Sequence, residues 1–236
     1  MRQWWTLIFF LTQLITWAQE DEIKEITAYP NPTIIVNWNY NSWYNTPSEI
    51  EISPLSMGAD IYKMFPILGK TKFISFAIGT GLSVQNIKSD TYVKLEDGAS
   101  VFYKIPKELK YNSNKISTVF VDIPLEVRLR NRPHPPKKGG VIRKRNIRFA
   151  LGFKVGYILQ RYIKYDGNDY RSFNYGNYIK FKEYRTANIL KYHYGVYIRG
   201  GYGKFALTAF YSLTPFFEEE KSYTLYPFSI GLSINI

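Results

Sequence analysis

The stretch YPFSIGLSINI, residues 226–236, decides the fold. Tyr226, Phe228, Ile230, Leu232, Ile234 and Ile236 are apolar, and Pro227, Ser229, Gly231, Ser233 and Asn235 stand between them. Successive side chains of a strand point to opposite faces, so this segment has one apolar face and one small, polar face. A strand of that kind left at a sheet edge would recruit other chains. Pairing it with the first strand in a closed barrel removes the edge.

Working outward from it, the same alternation recurs seven times. Ile34, Val36, Trp38 and Tyr40 oppose Asn37, Asn39 and Asn41 in a first strand over 33–44. A second, over 50–64, shifts phase at Pro54, as a bulge would cause. A third covers 73–87, a fourth 116–130 and a fifth 146–161. A sixth covers 188–200 and a seventh 204–213, with a tight turn at 201–203 between them. The clearest is the fourth, where Val119, Val121, Ile123, Leu125, Val127 and Leu129 face away from Asp122, Glu126, Arg128 and Arg130. The pattern predicts an all-β chain forming an eight-stranded antiparallel up-and-down transmembrane β-barrel over 33–236. Polar links at 88–115 and 164–186 should lie on one side. The chain ends and the shorter links, including PILGKTK at 66–72, should lie on the other.

Ahead of the strands, residues 1–18 read as a signal peptide. Arg2 precedes an apolar run from Trp4 to Trp17 that Gln13 interrupts, and Ala18 supplies a small residue for cleavage. Residues 19–32 then form a polar periplasmic leader. Export to the outer membrane is the expected location.

Composition agrees with this reading. There are 21 Tyr and 16 Phe in 236 residues, and Tyr suits a membrane–water boundary. No cysteine is present, which excludes a disulfide framework, a thiol nucleophile and a lipidated cysteine. The formal net charge of +12 points to anionic neighbours. Outer-membrane lipid is the expected partner, and nucleic acid is excluded by export and by the lack of a recognition fold.

Alternation alone leaves two architectures open. In a membrane barrel the apolar face meets lipid and the polar face fills the lumen; in a lipocalin-like soluble barrel the apolar face lines a ligand cavity. The polar face here carries Gly58, Gly79, Gly81, Gly152, Gly156, Gly195 and Gly231. A crowded lumen needs such small residues, whereas a solvated face gains nothing from them. With the polar face inward, Asp60, Asp122, Glu126, Arg128, Arg148, Lys154, Lys191 and Arg199 should meet as a lumen charge network, because unpaired charge in so narrow a space is costly.

Enzyme signals are weak. No GxSxG, HExxH or phosphate-binding loop occurs, and no metal or cofactor site is expected. His193, on the polar phase of the sixth strand, is the one candidate base for a lipid-modifying alternative, and it lacks a placed Ser and Asp. The unusual segment is NRPHPPKKGGVIRKR, residues 131–145. Arg132, Lys137, Lys138, Arg143, Lys144 and Arg145 stand there without an acidic residue, and Pro133, Pro135 and Pro136 stiffen its first half. It reads either as a solvated basic turn or as a docking arm for a periplasmic or secretion-system protein.

Four segments carry a family resemblance: VDIPLEVRLR (121–130), RFALGFKVGYIL (148–159), KYDG (164–167) and SFAIGTGLSVQNI (75–87). Together they resemble the PorT-like outer-membrane β-barrel proteins over most of the mature chain. The motifs are strand patterns, so they speak to fold more than to task. The resemblance implies an integral outer-membrane barrel and, for the member that names the family, a role in type IX protein secretion. It brings no catalytic residues.

Overall fold

A computed structural model describes residues 33–68, 73–130, 147–170, 174–184 and 188–236. Residues 1–32, read above as a signal peptide and leader, lie outside the described residues. Eleven strands run in chain order: β1 (Thr33–Tyr44), β2 (Met57–Leu68), β3 (Ile74–Lys88), β4 (Thr91–Glu96), β5 (Ala99–Lys104), β6 (Tyr111–Arg130), β7 (Ile147–Asp169), β8 (Asn174–Glu183), β9 (Tyr192–Tyr202), β10 (Phe205–Ser212) and β11 (Tyr226–Asn235). Among the described residues no helix is long and apolar enough to cross a membrane, which says nothing of strands.

Eight of these strands close a ring. The order β6-β3-β2-β1-β11-β10-β9-β7 is completed by antiparallel pairing of β6 with β7. The C-terminal strand pairs with the first, Trp38 opposite Leu232 and Tyr44 opposite Tyr226. Following partners around the ring from Phe149 passes through Gly200, Leu207, Leu232, Trp38, Ala59, Val84 and Val119. It returns to β7 at Gln160, eleven residues further on. Such a stagger tilts the strands, at roughly 40° for eight strands. Thr33, Asn235 and the turn joining β9 to β10 lie at one end, called here the near side. The links after β1, β3, β7 and β10 lie at the far side.

The ring is apolar outside and polar inside. Trp38 is 65% exposed, Leu207 65% and Leu232 64%, whereas Asp122 is 0%, Glu126 2% and Lys154 4% exposed. Within the apolar belt Lys63 breaks the outer pattern. It stands on the outer face between Ile61 and Phe65, its ammonium 5.4 Å from the Phe65 ring, so its stem lies along apolar surface. The glycines permit the inner crowding: a Cβ on Gly152 would stand 2.1 Å from the Tyr197 ring, and one on Gly156 2.1 Å from Asp122 Oδ1. Exposed aromatic rings mark both ends. Tyr44, Tyr192 and Tyr211 stand towards the far side, and Phe65, Phe73, Tyr202 and Phe205 towards the near side.

Several sequence expectations are corrected. The second strand starts at Met57, and 50–56 is irregular, held by an isolated bridge from Ile52 to Ser89 and by backbone hydrogen bonds from Ser53 to Lys88, from Asp90 to Glu51 and from Asn41 to Ser56. Pro54 offers no N–H to a ladder, and the register shift falls instead between Pro66 and Leu68. The link at 88–115 contains the β4–β5 hairpin, turned by Asp97 and Gly98, both at positive φ. The link at 164–186 holds the end of β7 and all of β8. The sixth ring strand begins at Tyr192, and the turn after it is Gly203-Lys204, with Gly203 at φ 63°. These extra strands stand beyond the ring, on the far side.

There they build a second, apolar core. Trp43, Ile87, Ile116, Ile163, Ile189, Phe216, Phe217 and Leu225 are buried together, with Val93 and Phe102 of the hairpin packed against them. Ile105, Leu109, Tyr165 and Tyr170 form a neighbouring cluster. The interior therefore passes from charged at the near side to apolar at the far side, where links that should have been solvated loops form a packed cap.

Candidate functional site

The charged residues of the inner face fall into two groups on facing strands. In the first, the carboxylate of Asp122 accepts hydrogen bonds from the Tyr62 hydroxyl at 2.7 Å and pairs with Lys154 at 3.4 Å. His193 Nε2 lies 2.8 Å from its other oxygen. Lys154 also donates to the Tyr62 oxygen at 3.0 Å and rests 4.1 Å from the Phe210 ring centroid. The period-2 alternation of β2, β6, β7 and β9 turns all four residues inward, and the Asp122↔Gly156↔His193 register brings β6 and β9 together across a glycine.

Nearer the near side, Glu126 holds two guanidinium groups: Arg128 Nε at 2.6 Å and Arg199 at 2.5 Å. Arg199 donates a further bond to the Asn235 side-chain oxygen at 2.9 Å. Charge-assisted pairs of this geometry are the strong class of hydrogen bond. Between the two groups lies Asp60. It accepts from the amides of Asn37 at 3.1 Å and Asn39 at 2.7 Å.

Of the eight residues expected to form the lumen network, Asp122, Lys154, Glu126, Arg128 and Arg199 are brought into ion pairs. Asp60 is inside but meets amides rather than a cation. Arg148 lies at the near-side mouth, lining a cavity of about 50 Å³ with Arg128 and Arg199. Lys191 does not belong: it is exposed and precedes β9, because the strand starts at Tyr192. Tyr62, His193, Asn37, Asn39 and Asn235 were missed as members. All share the inward phase; His193 was singled out only as a candidate base, and the uncharged others gave the sequence no reason to be counted with the charges.

His193, the candidate base, is buried in the ring beside a carboxylate. Its Nε2 faces Asp122, its ring stacks on Phe120 at 4.1 Å and 6°, and it is 5% exposed. Its one hydrogen-bond partner among the described residues is that carboxylate. Among the described residues the interior is nearly filled. The cavity between Asp60, Lys154, Glu126 and Arg199 measures about 20 Å³, room for about one water, and the apolar cap lies beyond it.

The candidate docking residues Arg132, Lys137, Lys138, Arg143, Lys144 and Arg145 lie outside the described residues. The ends their segment joins, those of β6 and β7, are on the near side. On the far-side hairpin, Glu96 accepts from Lys94 at 2.8 Å and Tyr103 at 2.6 Å, which holds its carboxyl below the usual range. Comparison with protein-family models, with curated proteins and with solved structures found no match.

Proposed function

We propose that this chain is an integral outer-membrane β-barrel with a structural or accessory, non-catalytic role. The observation that carries the reading is the inversion of the ring, with leucine, isoleucine and tryptophan outside and ion pairs inside. A contiguous apolar surface of this extent is a liability in water and a requirement in lipid. The aromatic rings at both ends support the same placement, since Tyr and Trp gather where hydrocarbon meets headgroups. β1 spans 12 residues, roughly 30 Å of height at a 40° tilt, which suits the apolar band of an outer-membrane barrel. The filled interior favours a scaffold over a conduit. Within such a role, protein secretion is the process to which the resemblance to PorT-like proteins points.

On this reading the full protein fractionates with outer membranes, resists urea and carbonate extraction, and migrates faster on gels unheated than boiled. Recovery from the soluble periplasmic fraction overturns it.

A periplasmic protein is the partner proposed for the basic link. A photocrosslinker at Gly139 should give one discrete adduct in intact cells, lost when the six cations are replaced by glutamine. Adducts that persist without those charges refute docking by the link.

A further inference from the structure

Four lysines stand in direct cross-strand register on the far side: Lys88 of β3 opposite Lys115 of β6, Lys115 opposite Lys164 of β7, and Lys164 opposite Lys182 of β8. Residues directly opposite in an antiparallel pair share a face. That face is the outer one, because the adjoining Ile87, Ile116 and Ile163 point into the buried far-side core. Three strand spacings of about 4.8 Å make the row roughly 14 Å long.

The row lies two outward steps beyond the apolar belt. Reading outward residues towards the far side, β3 passes from Leu82 and Val84 to Asn86 and then Lys88. β6 passes from Val121 and Val119 to Ser117 and then Lys115. Tyr162 occupies the intermediate step on β7, flanked by Lys182 at 3.8 Å and Lys115 at 6.0 Å from its ring centroid. Tyr184 lies 5.9 Å from Tyr162.

Like charges placed directly opposite one another destabilise a sheet. The row is only partly offset among the described residues: Asp166, two residues along the same face of β7, has its carboxyl held low first by the Tyr178 hydroxyl, and lies near enough to Lys164 for that ammonium to help. Among the described residues none of the four lysines makes an ion pair, and Lys115 donates only to the Asn86 oxygen at 2.9 Å. Asp166 is shared with Lys180 and the Tyr178 hydroxyl, which it contacts directly, and Asp90 is paired with Lys104. Glu183 pairs in register with inward-facing Ile163, so it points to the opposite face from Lys182.

We propose that this row binds the phosphate groups of a phosphorylated glycolipid in the outer leaflet. The inference rests on the outer-membrane reading. A phosphate offers several acceptor oxygens and enough charge to bridge neighbouring ammonium groups, and at the top of the belt the lipid's chains lie along Val84, Val119 and Val121. Tyr162 and Tyr184 supply rings on which a sugar can rest.

The test uses the full protein in phosphatidylcholine vesicles with and without a labelled bis-phosphorylated glycolipid. It compares wild type with the variant Lys115→Gln/Lys164→Gln/Lys182→Gln and with the control Lys94→Gln on the β4–β5 hairpin. The glycolipid retained after detergent extraction should fall about fivefold per lysine removed, on the order of a hundredfold for three, and should fall steeply with salt for wild type and the Lys94→Gln control but not for the triple variant. In plain phosphatidylcholine the triple variant should need more urea to unfold than wild type, and added glycolipid should reverse that order. Equal retention by wild type and triple variant overturns the site. Stabilisation of wild type by inorganic phosphate as strong as that by the glycolipid overturns the lipid assignment. Failure to enter either vesicle overturns the outer-membrane reading itself, and the site with it.

Discussion

Asp122→Ala should cost about 3–5 kcal/mol of stability, the usual penalty for removing one partner of a buried ion pair. The carboxylate has no exposed surface and serves three groups at once: Lys154, the Tyr62 hydroxyl and His193. Deleting it strands the Lys154 ammonium, itself 4% exposed, against the Phe210 ring with only a phenol oxygen to accept from it. The paired variant Asp122→Ala/Lys154→Met separates stranded charge from lost packing. Removing both partners should recover much of the loss, because a buried pair is worth little against an apolar replacement while half a pair is costly. Urea unfolding of the reconstituted protein measures both. A double variant no more stable than the single one would show that Asp122 acts through packing and not through its charge.

Leu125→Arg should cost roughly 2–4 kcal/mol if the outer face lies in lipid. Leu125 is 46% exposed and sits in the central part of the β6 outer row, between Ile78 of β3 and Phe153 of β7. The same substitution on a water-facing strand changes stability by no more than about 0.5 kcal/mol, since it removes no buried contact. The size of the effect therefore reports the solvent outside the ring. Phe153→Arg, on the neighbouring strand, should behave alike.

What was legible in the sequence was whatever a single strand could state alone. Trp38 between Asn37 and Asn39, or Leu125 beside Glu126, declares its face by period 2, and eight such strands with an edge at each end imply a ring. The glycines at 152 and 156 correctly marked the inside, since only a residue without a side chain leaves room for Tyr197 and for the Asp122–His193 contact. The far-side strands were missed for different reasons. The Asp97-Gly98 turn was a hairpin signal, but its strands are six residues each and carry little alternation. In β8 only Ile179 and Phe181 alternate with Lys180 and Lys182, too brief a run among tyrosines. Lys191 was assigned inward by continuing a phase through residues that precede the strand. The lysine row was invisible for another reason: each member is an ordinary lysine on its own strand, and the pattern exists only in the register between four strands.

The most direct measurement uses the chain's lack of cysteine. A single cysteine at Leu125, carrying an environment-sensitive fluorophore, is placed in vesicles whose acyl chains bear bromine, with a second probe at Lys94 for comparison. The account predicts strong quenching at position 125 by brominated chains, little by aqueous iodide, and the reverse at position 94. Iodide quenching at position 125 without response to the brominated chains would put water against the apolar face and contradict the account.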